Sequence, residues 1–168
     1  MDLDGMIQTT CPVPHLLRVL QNPETMLRML PEGSNVTQTD ASHYKFAVRK
    51  SLGLLSLTLP GTLEMTPVGD GPNIDLIANA AHMLGGKVAI ALRLKLTRTE
   101  GQTRLAYAGT VSASGLAATV LQKYPVQTQK ALKAAFLRLK TRAESTLPAA
   151  AQPGQARAKG GPHRPGRA

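Results

Sequence analysis

The side chains suited to acid–base or metal chemistry are four histidines, ten acids and one cysteine, and they are scattered along the chain. His15, His43, His82 and His163 fall at no metal-binding spacing with one another, with Cys11 or with an acid. Catalysis by paired carboxylates needs two acids on one inward strand face, and no predicted strand provides them. We therefore expect no metal site, no cofactor and no catalytic residue.

Two polar residues beside predicted turns stay open to a structural or a functional interpretation. His82 has the inward parity of residues 74–80 and precedes Gly85-Gly86. It is either a histidine satisfied at a turn or a hydrogen-bond partner for the head group of a ligand. Ser114 lacks the strand-to-helix elbow sequence of hydrolases, so we expect it to cap the helix that follows.

Apolar residues recur at every second position between residues 44 and 111, which is typical of strands with one buried face. Consecutive strands of this kind predict an antiparallel sheet with one solvated side. We also expect Pro60-Gly61 to break one strand. The turn signals between the runs are Asp40, Gly53, residues 69–72, Gly85-Gly86 and Glu100-Gly101.

Two short helices are predicted between a first strand, residues 2–9, and the sheet. Pro14 opens an apolar segment that suits the first helix. Asn22 as cap and Pro23 at the first position start the second helix, which Pro31 ends.

A helical period returns between about residues 116 and 143, and Pro125 should kink that helix or divide it in two. The order of elements predicts an α+β fold. We expect a curved antiparallel sheet of about six to seven strands wrapped around a long C-terminal helix, because this arrangement buries both apolar faces.

The net charge of +10 is unevenly distributed along the 168 residues. Residues 145–168 are rich in Ala, Pro and Gly and carry no acid, so we predict a disordered basic tail after one domain at 1–144. The last helix and the tail either meet an anionic surface or are simply solvated. The basic residues of this predicted anionic-surface site are Lys130, Lys133, Arg138, Lys140, Arg142, Arg157, Lys159, Arg164 and Arg167.

Several protein classes are excluded by composition. One cysteine permits no internal disulfide, and no apolar run reaches the roughly 18–20 residues of a membrane span. The first residues lack the apolar core of a secretory signal, so we expect a cytoplasmic protein. With three Tyr, two Phe and no Trp, specific reading of nucleic-acid bases is not expected.

The predicted apolar interior is the strongest candidate for a binding site. The small residues Ala78, Ala80 and Gly109 either leave space for an apolar ligand or meet bulky partners in a filled core. Met26, Met29, Met65 and Met83 suit an adaptable entrance. The predicted ligand-binding residues are Tyr44, Phe46, Leu57, Leu76, Ala78, Ala80, His82, Ile90, Leu92, Tyr107, Leu132, Phe136 and Leu139.

Four short segments and the order of elements resemble the START-like (SRPBCC, helix-grip) superfamily, and most closely the family of the carbon monoxide dehydrogenase G subunit. The segments are MDLDG at 1–5, VLQNPE at 19–24, LPEG at 30–33 and TRLAY at 103–107. The likeness covers roughly residues 1–144. It implies an accessory role at the membrane and a hydrophobic ligand that is lipid- or quinone-like.

Three functions therefore remain open on the sequence. The leading hypothesis is a non-enzymatic protein that binds a hydrophobic ligand between the sheet and the C-terminal helix, with peripheral association with an anionic membrane or a partner protein. The alternative is a basic adaptor that docks on anionic lipid or nucleic acid. The third is a cyclase- or hydrolase-type enzyme, for which the sequence offers Tyr44, Tyr107 and His82 as interior polar groups.

Overall fold

The computed structural model describes residues 1–52, 54–82 and 85–147, with backbone alone at 50–52 and 55–57. The strands are β1 (Asp2–Thr9), β2 (Asn35–Gln38), β3 (His43–Leu52), β4 (Leu55–Val68), β5 (Asn73–His82), β6 (Gly86–Thr99) and β7 (Gln102–Ala113). The helices are α1 (Val13–Leu20), α2 (Pro23–Met29), α3 (Leu116–Lys123) and α4 (Pro125–Thr146). The predictions for the side chain of Leu57, for Met83 and for tail residues 148–168, which include Arg157, Lys159, Arg164 and Arg167, lie outside the described residues.

The strands of the described chain form one antiparallel sheet in the order β1-β7-β6-β5-β4-β3-β2. The first strand pairs with the last, with Asp2 opposite Thr110 and Thr9 opposite Thr103. The segment containing α1 and α2 connects the two edges of the sheet. The predicted α+β architecture, with two short helices after the first strand and a long C-terminal helix, is confirmed.

The sheet differs from the prediction at two places. The four-residue β2 was not predicted, because a short and largely exposed strand carries no clear alternation. The predicted break at Pro60-Gly61 is wrong, because β4 continues through both residues. Pro60 pairs with Ala47 of β3, and the pairing of β4 with β5 begins only at Gly61. Proline is tolerated where a strand lacks one neighbour, so the strand is not interrupted.

The helix boundaries follow the predicted signals at α2 and at Pro125. The side chain of Asn22 accepts a hydrogen bond from the Glu24 amide at 2.8 Å and caps α2. Pro125 divides the C-terminal helical region into α3 and α4. The α4 helix runs through Thr146, and Leu147 beyond it is buried, so ordered packing continues past the predicted boundary at residue 144.

Ser114 does not cap α3, contrary to the prediction. Its amide donates to the Lys87 carbonyl oxygen at 2.9 Å, so Ser114 still belongs to the pairing between β7 and β6. Gly115 occupies the cap position with φ 66° and ψ −144°, a conformation that favours glycine. A Cβ atom on the adjacent Gly86 would overlap the Ser114 carbonyl oxygen, so the two backbones meet without side chains between them.

The dense part of the core lies where α4 meets β1 and β7. The Tyr107 ring stacks on the Phe136 ring, with ring centroids 4.3 Å apart and an interplanar angle of 13°. Gly5, opposite Tyr107 in the register, leaves room for the tyrosine ring, because a Cβ there would overlap it. Leu139 and Ala143 continue this contact along α4 and are fully buried.

Gly109 leaves no space for a ligand, because a Cβ atom there would overlap the carbonyl oxygen of Ala91 in β6. We expect Gly109→Ala to lower the free energy of unfolding by roughly 1–3 kcal/mol, the usual cost of overpacking. Urea denaturation measures the change. The control is Gly71→Ala, where the nearest atom lies 3.9 Å from the added Cβ. Equal effects of the two substitutions would contradict the assignment.

Candidate functional site: an apolar cavity on the inner face of the sheet

An apolar cavity of about 290 Å³ lies between the inner face of the sheet and the helices α1, α2 and α4. We call it the inner cavity. Among the described residues on its walls, only Tyr44 carries a side-chain oxygen or nitrogen. The walls are formed by Leu20, Met26, Met29, Leu30, Val36, Tyr44, Phe46, Val48, Leu59, Leu63, Met65, Leu76, Ala78, Ala80, Val88, Ile90, Ala135 and Phe136.

The space exists because small side chains meet across it. Ala78 and Ala80 project from β5, and Ala135 projects from α4. The ring of Phe46 lies against Gly61, its partner in the register, where a Cβ atom would overlap the ring. Together these positions leave a gap between the sheet and the helix that no described side chain fills.

Tyr44 contributes its ring to the wall while its hydroxyl is already engaged. The Tyr44 hydroxyl donates to the carbonyl oxygen of Gln21 at 2.8 Å. Burial raises the pKa of the Tyr44 phenol, and the negative charge of Asp40 adds to this effect. The phenol therefore stays neutral at physiological pH and ties β3 to the end of α1.

A second cavity of about 550 Å³ lies beneath α3, and we call it the α3 cavity. It shares Val48, Leu59, Val88 and Ile90 with the inner cavity, so the two lie side by side along the sheet. Its walls are more polar. The polar side chains on them are those of Thr58, His82, Thr119 and Thr128.

The structure separates the predicted ligand-binding residues into three groups. On the inner cavity lie Tyr44, Phe46, Leu76, Ala78, Ala80, Ile90 and Phe136. His82 lies instead on the α3 cavity, which Ile90 also lines. Lining neither cavity are Leu92, Tyr107, Leu132 and Leu139.

Those last four residues have the right inward face but lie where the interior is filled. Leu92, Tyr107 and Leu139 are buried, and Leu132 packs against the same core. Phe136 occupies the space beside Tyr107 that a ligand would need. Strand parity identifies the inward face of a residue but does not reveal what lies opposite it.

The sequence interpretation missed eight residues of the inner cavity wall. The missed residues are Leu20, Leu30, Val36, Val48, Leu59, Leu63, Val88 and Ala135. Met26, Met29 and Met65, which were expected at an entrance, lie on the same wall. For Val48, Leu59, Leu63 and Val88 the available signal was the same strand parity that identified their neighbours. For the short helices the signal was their apolar face, and the position of those helices over the sheet is a tertiary property.

Two residues of the predicted basic surface on α4 form contacts within the protein. Lys130 and Lys133 are exposed, whereas Lys140 is half-buried. The guanidinium of Arg138 donates to the Met29 carbonyl oxygen at 3.2 Å. Arg142 forms an ion pair with Glu24 at 3.6 Å. These two arginines join α4 to α2.

The polar groups considered for enzymatic chemistry do not converge. Tyr44 lies on the inner cavity and His82 on the α3 cavity, while Tyr107 is buried against Phe136. The described residues contain no group of three or more His, Cys, Asp or Glu side chains placed to hold a metal ion. Within the same residues, each helix is too short or too polar to span a bilayer.

A curved antiparallel sheet closed by a long C-terminal helix over an apolar cavity defines a helix-grip protein of the SRPBCC type, a ligand-binding fold. The family model for CoxG, the G subunit of carbon monoxide dehydrogenase, matches residues 5–150. The chain belongs to this family. No curated protein sequence gives a significant match.

Solved structures with low sequence identity share the fold. A conserved protein from Geobacillus kaustophilus has 16% identity and a TM-score of 0.73. The match covers 87% of this chain and 97% of the Geobacillus chain. The Zhui aromatase/cyclase from Streptomyces sp. R1128 has 12% identity and a TM-score of 0.62, with 89% and 97% covered. A Mycobacterium smegmatis protein has 18% identity and a TM-score of 0.61, with 86% and 92% covered.

The hydrogen bond of Tyr44 has a measurable consequence. We expect Tyr44→Phe to lower the free energy of unfolding by about 1 kcal/mol, because the Gln21 carbonyl loses its donor. Since the folded-state pKa is raised, this stabilisation is complete below about pH 10 and is lost as the pH rises through the folded-state value. Denaturant unfolding across this pH range measures both effects.

The matched control for that substitution is Tyr124→Phe, since the Tyr124 side chain is exposed. It should change stability by less than about 0.5 kcal/mol. A Tyr44→Phe protein as stable as the unsubstituted protein would contradict a structural role for this hydroxyl.

Proposed function

We propose that this protein binds a hydrophobic, lipid- or quinone-like molecule in the inner cavity and acts as a non-enzymatic accessory protein. The supporting observation is the chemistry of the cavity walls, which are apolar apart from one tyrosine whose hydroxyl already donates to Gln21. A polar ligand would lose its hydrogen bonds to water and find no replacements there. An apolar ligand has no hydrogen bonds to water to lose, and burial of its surface is favourable.

The expected affinity rests on burial of hydrocarbon. Each buried methylene contributes about 0.8 kcal/mol, so a segment of about eight contributes about 6 kcal/mol before the cost of ordering the ligand. Three methionines, Met26, Met29 and Met65, lie on the walls and can adapt to ligands of different shape.

The neighbouring α3 cavity supports an amphiphilic ligand. The two cavities share four wall residues, and we propose that one elongated molecule reaches from the inner cavity into the α3 cavity, with a carbonyl or carboxyl group near His82 and the threonines. Each neutral hydrogen bond made there is worth about 1 kcal/mol. The hydrocarbon part then occupies the inner cavity.

Membership of the CoxG family supports an accessory role. A cyclase-type activity, suggested by the name of the Streptomyces protein, is less well supported because the three interior polar groups lie in separate places. Binding therefore accounts for the cavity better than catalysis does.

The first test narrows the inner cavity. We expect Ala78→Leu to weaken binding of a long-chain fatty acid or a prenylated naphthoquinone at least about tenfold, because the new side chain occupies the ligand volume. Binding is measured as a thermal shift: ligand at a hundredfold its Kd stabilises the protein by about 2.7 kcal/mol. Native mass spectrometry after mild purification detects any ligand that is retained.

The control variant is Ala108→Leu, which adds the same side chain at an exposed position of β7. It should leave binding unchanged. If the unsubstituted protein retains no ligand and neither probe shifts its melting temperature, the proposal fails.

The second test concerns the polar end of the ligand. His82→Leu should weaken binding of the fatty acid about fivefold, the value of one hydrogen bond, and should not weaken binding of an alkane of equal length. Isothermal titration with both probes separates these effects. Equal losses for the two probes would show that His82 shapes the cavity and does not contact a head group.

A further inference from the structure

The α3 helix exposes large apolar side chains on one face. Leu116 and Val120 are 63% and 56% exposed, and Tyr124 and Val126 at the junction with α4 are 43% and 59% exposed. We call these four residues the α3 patch. Leu116, Val120 and Tyr124 are spaced four residues apart, and helical residues at this spacing are neighbours on one face. In addition, no side chain of α3 is fully buried.

The α3 patch lies at the rim of a cavity. Leu116 and Val120 line the α3 cavity while remaining exposed, whereas Leu121 of the same helix packs against the core. The apolar patch and the apolar interior are therefore continuous at this point. Solvation of such a surface is unfavourable, and exposed apolar patches commonly mark interaction sites.

Exposed lysines lie next to the α3 patch. The Lys123 ammonium lies 5.6 Å from the centroid of the Tyr124 ring. Lys130, one turn beyond Val126, is exposed. Lys87 is also exposed, and its carbonyl oxygen accepts from the Ser114 amide just before α3. The sequence between residues 101 and 143 contains no Asp or Glu.

The combination of charge and apolar surface distinguishes between the partners that could cover the patch. A second copy of the chain, docked through the same patch, would place Lys123 and Lys130 near their own copies with no acid from residues 101–143 to pair them. Anionic lipid head groups offer the opposite charge above an apolar layer. A helix with apolar residues, a tyrosine and flanking lysines suits that boundary.

We propose that the α3 patch docks on the surface of an anionic lipid bilayer and places the rim of the α3 cavity against the membrane. The docking surface therefore overlaps only in part with the one expected on the sequence: Lys130 belongs to both, whereas Arg138 and Arg142 of α4 are engaged with α2. The inference rests on the proposed function, because docking would serve to pass an apolar ligand between the bilayer and the cavity.

The experiment measures partitioning of the full chain onto vesicles of phosphatidylcholine with phosphatidylglycerol and onto vesicles of phosphatidylcholine alone. We expect binding to the anionic vesicles that weakens with salt. The double variant Tyr124→Asn and Val126→Asn, at two patch residues that line neither cavity, should reduce it about tenfold, since both side chains lose their apolar contact. Lys123→Gln and Lys130→Gln should each reduce it about fivefold.

The matched controls lie on the outer face of the sheet. Ile77→Asn removes an apolar residue that is 45% exposed, and Lys95→Gln removes an exposed lysine. Neither should change vesicle binding. Equal losses in these controls, or full binding by the patch variants, would overturn the proposal. So would a concentration-dependent dimer that the double variant abolishes while no vesicle binding is found.

Ligand binding in vesicle-free solution separates this inference from the proposed function. Patch variants that bind the fatty acid normally but no longer bind vesicles support docking through α3. Normal vesicle binding by a protein that takes up no ligand refutes the proposed function and leaves the docking surface established. Thermal unfolding of every variant verifies that the substitutions leave the fold intact.

Discussion

One α-helix is about 10–12 Å across, whereas strands in a sheet are spaced about 4.8 Å apart, so a single long helix cannot cover a sheet of seven strands. The α4 helix covers the edge formed by β1 and β7, where Phe136 stacks on Tyr107. The inner face of the remaining strands must be covered by something else. Most other features of the protein follow from this mismatch in width.

Short helices cover part of the uncovered area and are fastened to α4. The His15 ring contacts the Ala143 carbonyl oxygen at 2.9 Å and links α1 to α4. Arg138 does the same for α2 through the Met29 carbonyl oxygen. The helices α1 and α2 are therefore held at a fixed distance from the sheet. The small residues between these helices and the sheet leave a cavity in place of a packed core.

Much of the architecture was predictable because it depends on local chemistry. Alternating side chains specify strands wherever one face is buried, and the Asn22-Pro23 pair specifies a helix start through a single side-chain hydrogen bond. Pro125 interrupts the helical region because proline has no backbone N–H to donate and its ring clashes with the preceding turn. These properties need no knowledge of distant residues.

The remaining features depend on neighbours that the sequence does not reveal. Pro60 fits inside β4 because the ladder to β5 starts one residue later, and Ser114 is not a cap because β6 still pairs with it. Leu92 and Ile90 have the same parity on one strand, yet Ile90 lines a cavity and Leu92 does not. What lies opposite an inward residue is decided by helix placement, and this explains why Leu20 of α1 was missed and why Met26 and Met29 of α2 were expected only at an entrance.

The two alanines of β5 have a consequence for how the size of the inner cavity can change in this fold. Ala78 lies opposite Leu63 and Ile90 in the register, and Ala80 lies opposite Gly61 and Val88. The ladder that holds these positions consists of backbone hydrogen bonds and is indifferent to their side chains. One added methyl or isopropyl group at either alanine shortens the compartment while the frame stays the same. The length of the cavity is thus adjustable by single substitutions, while the backbone keeps its shape.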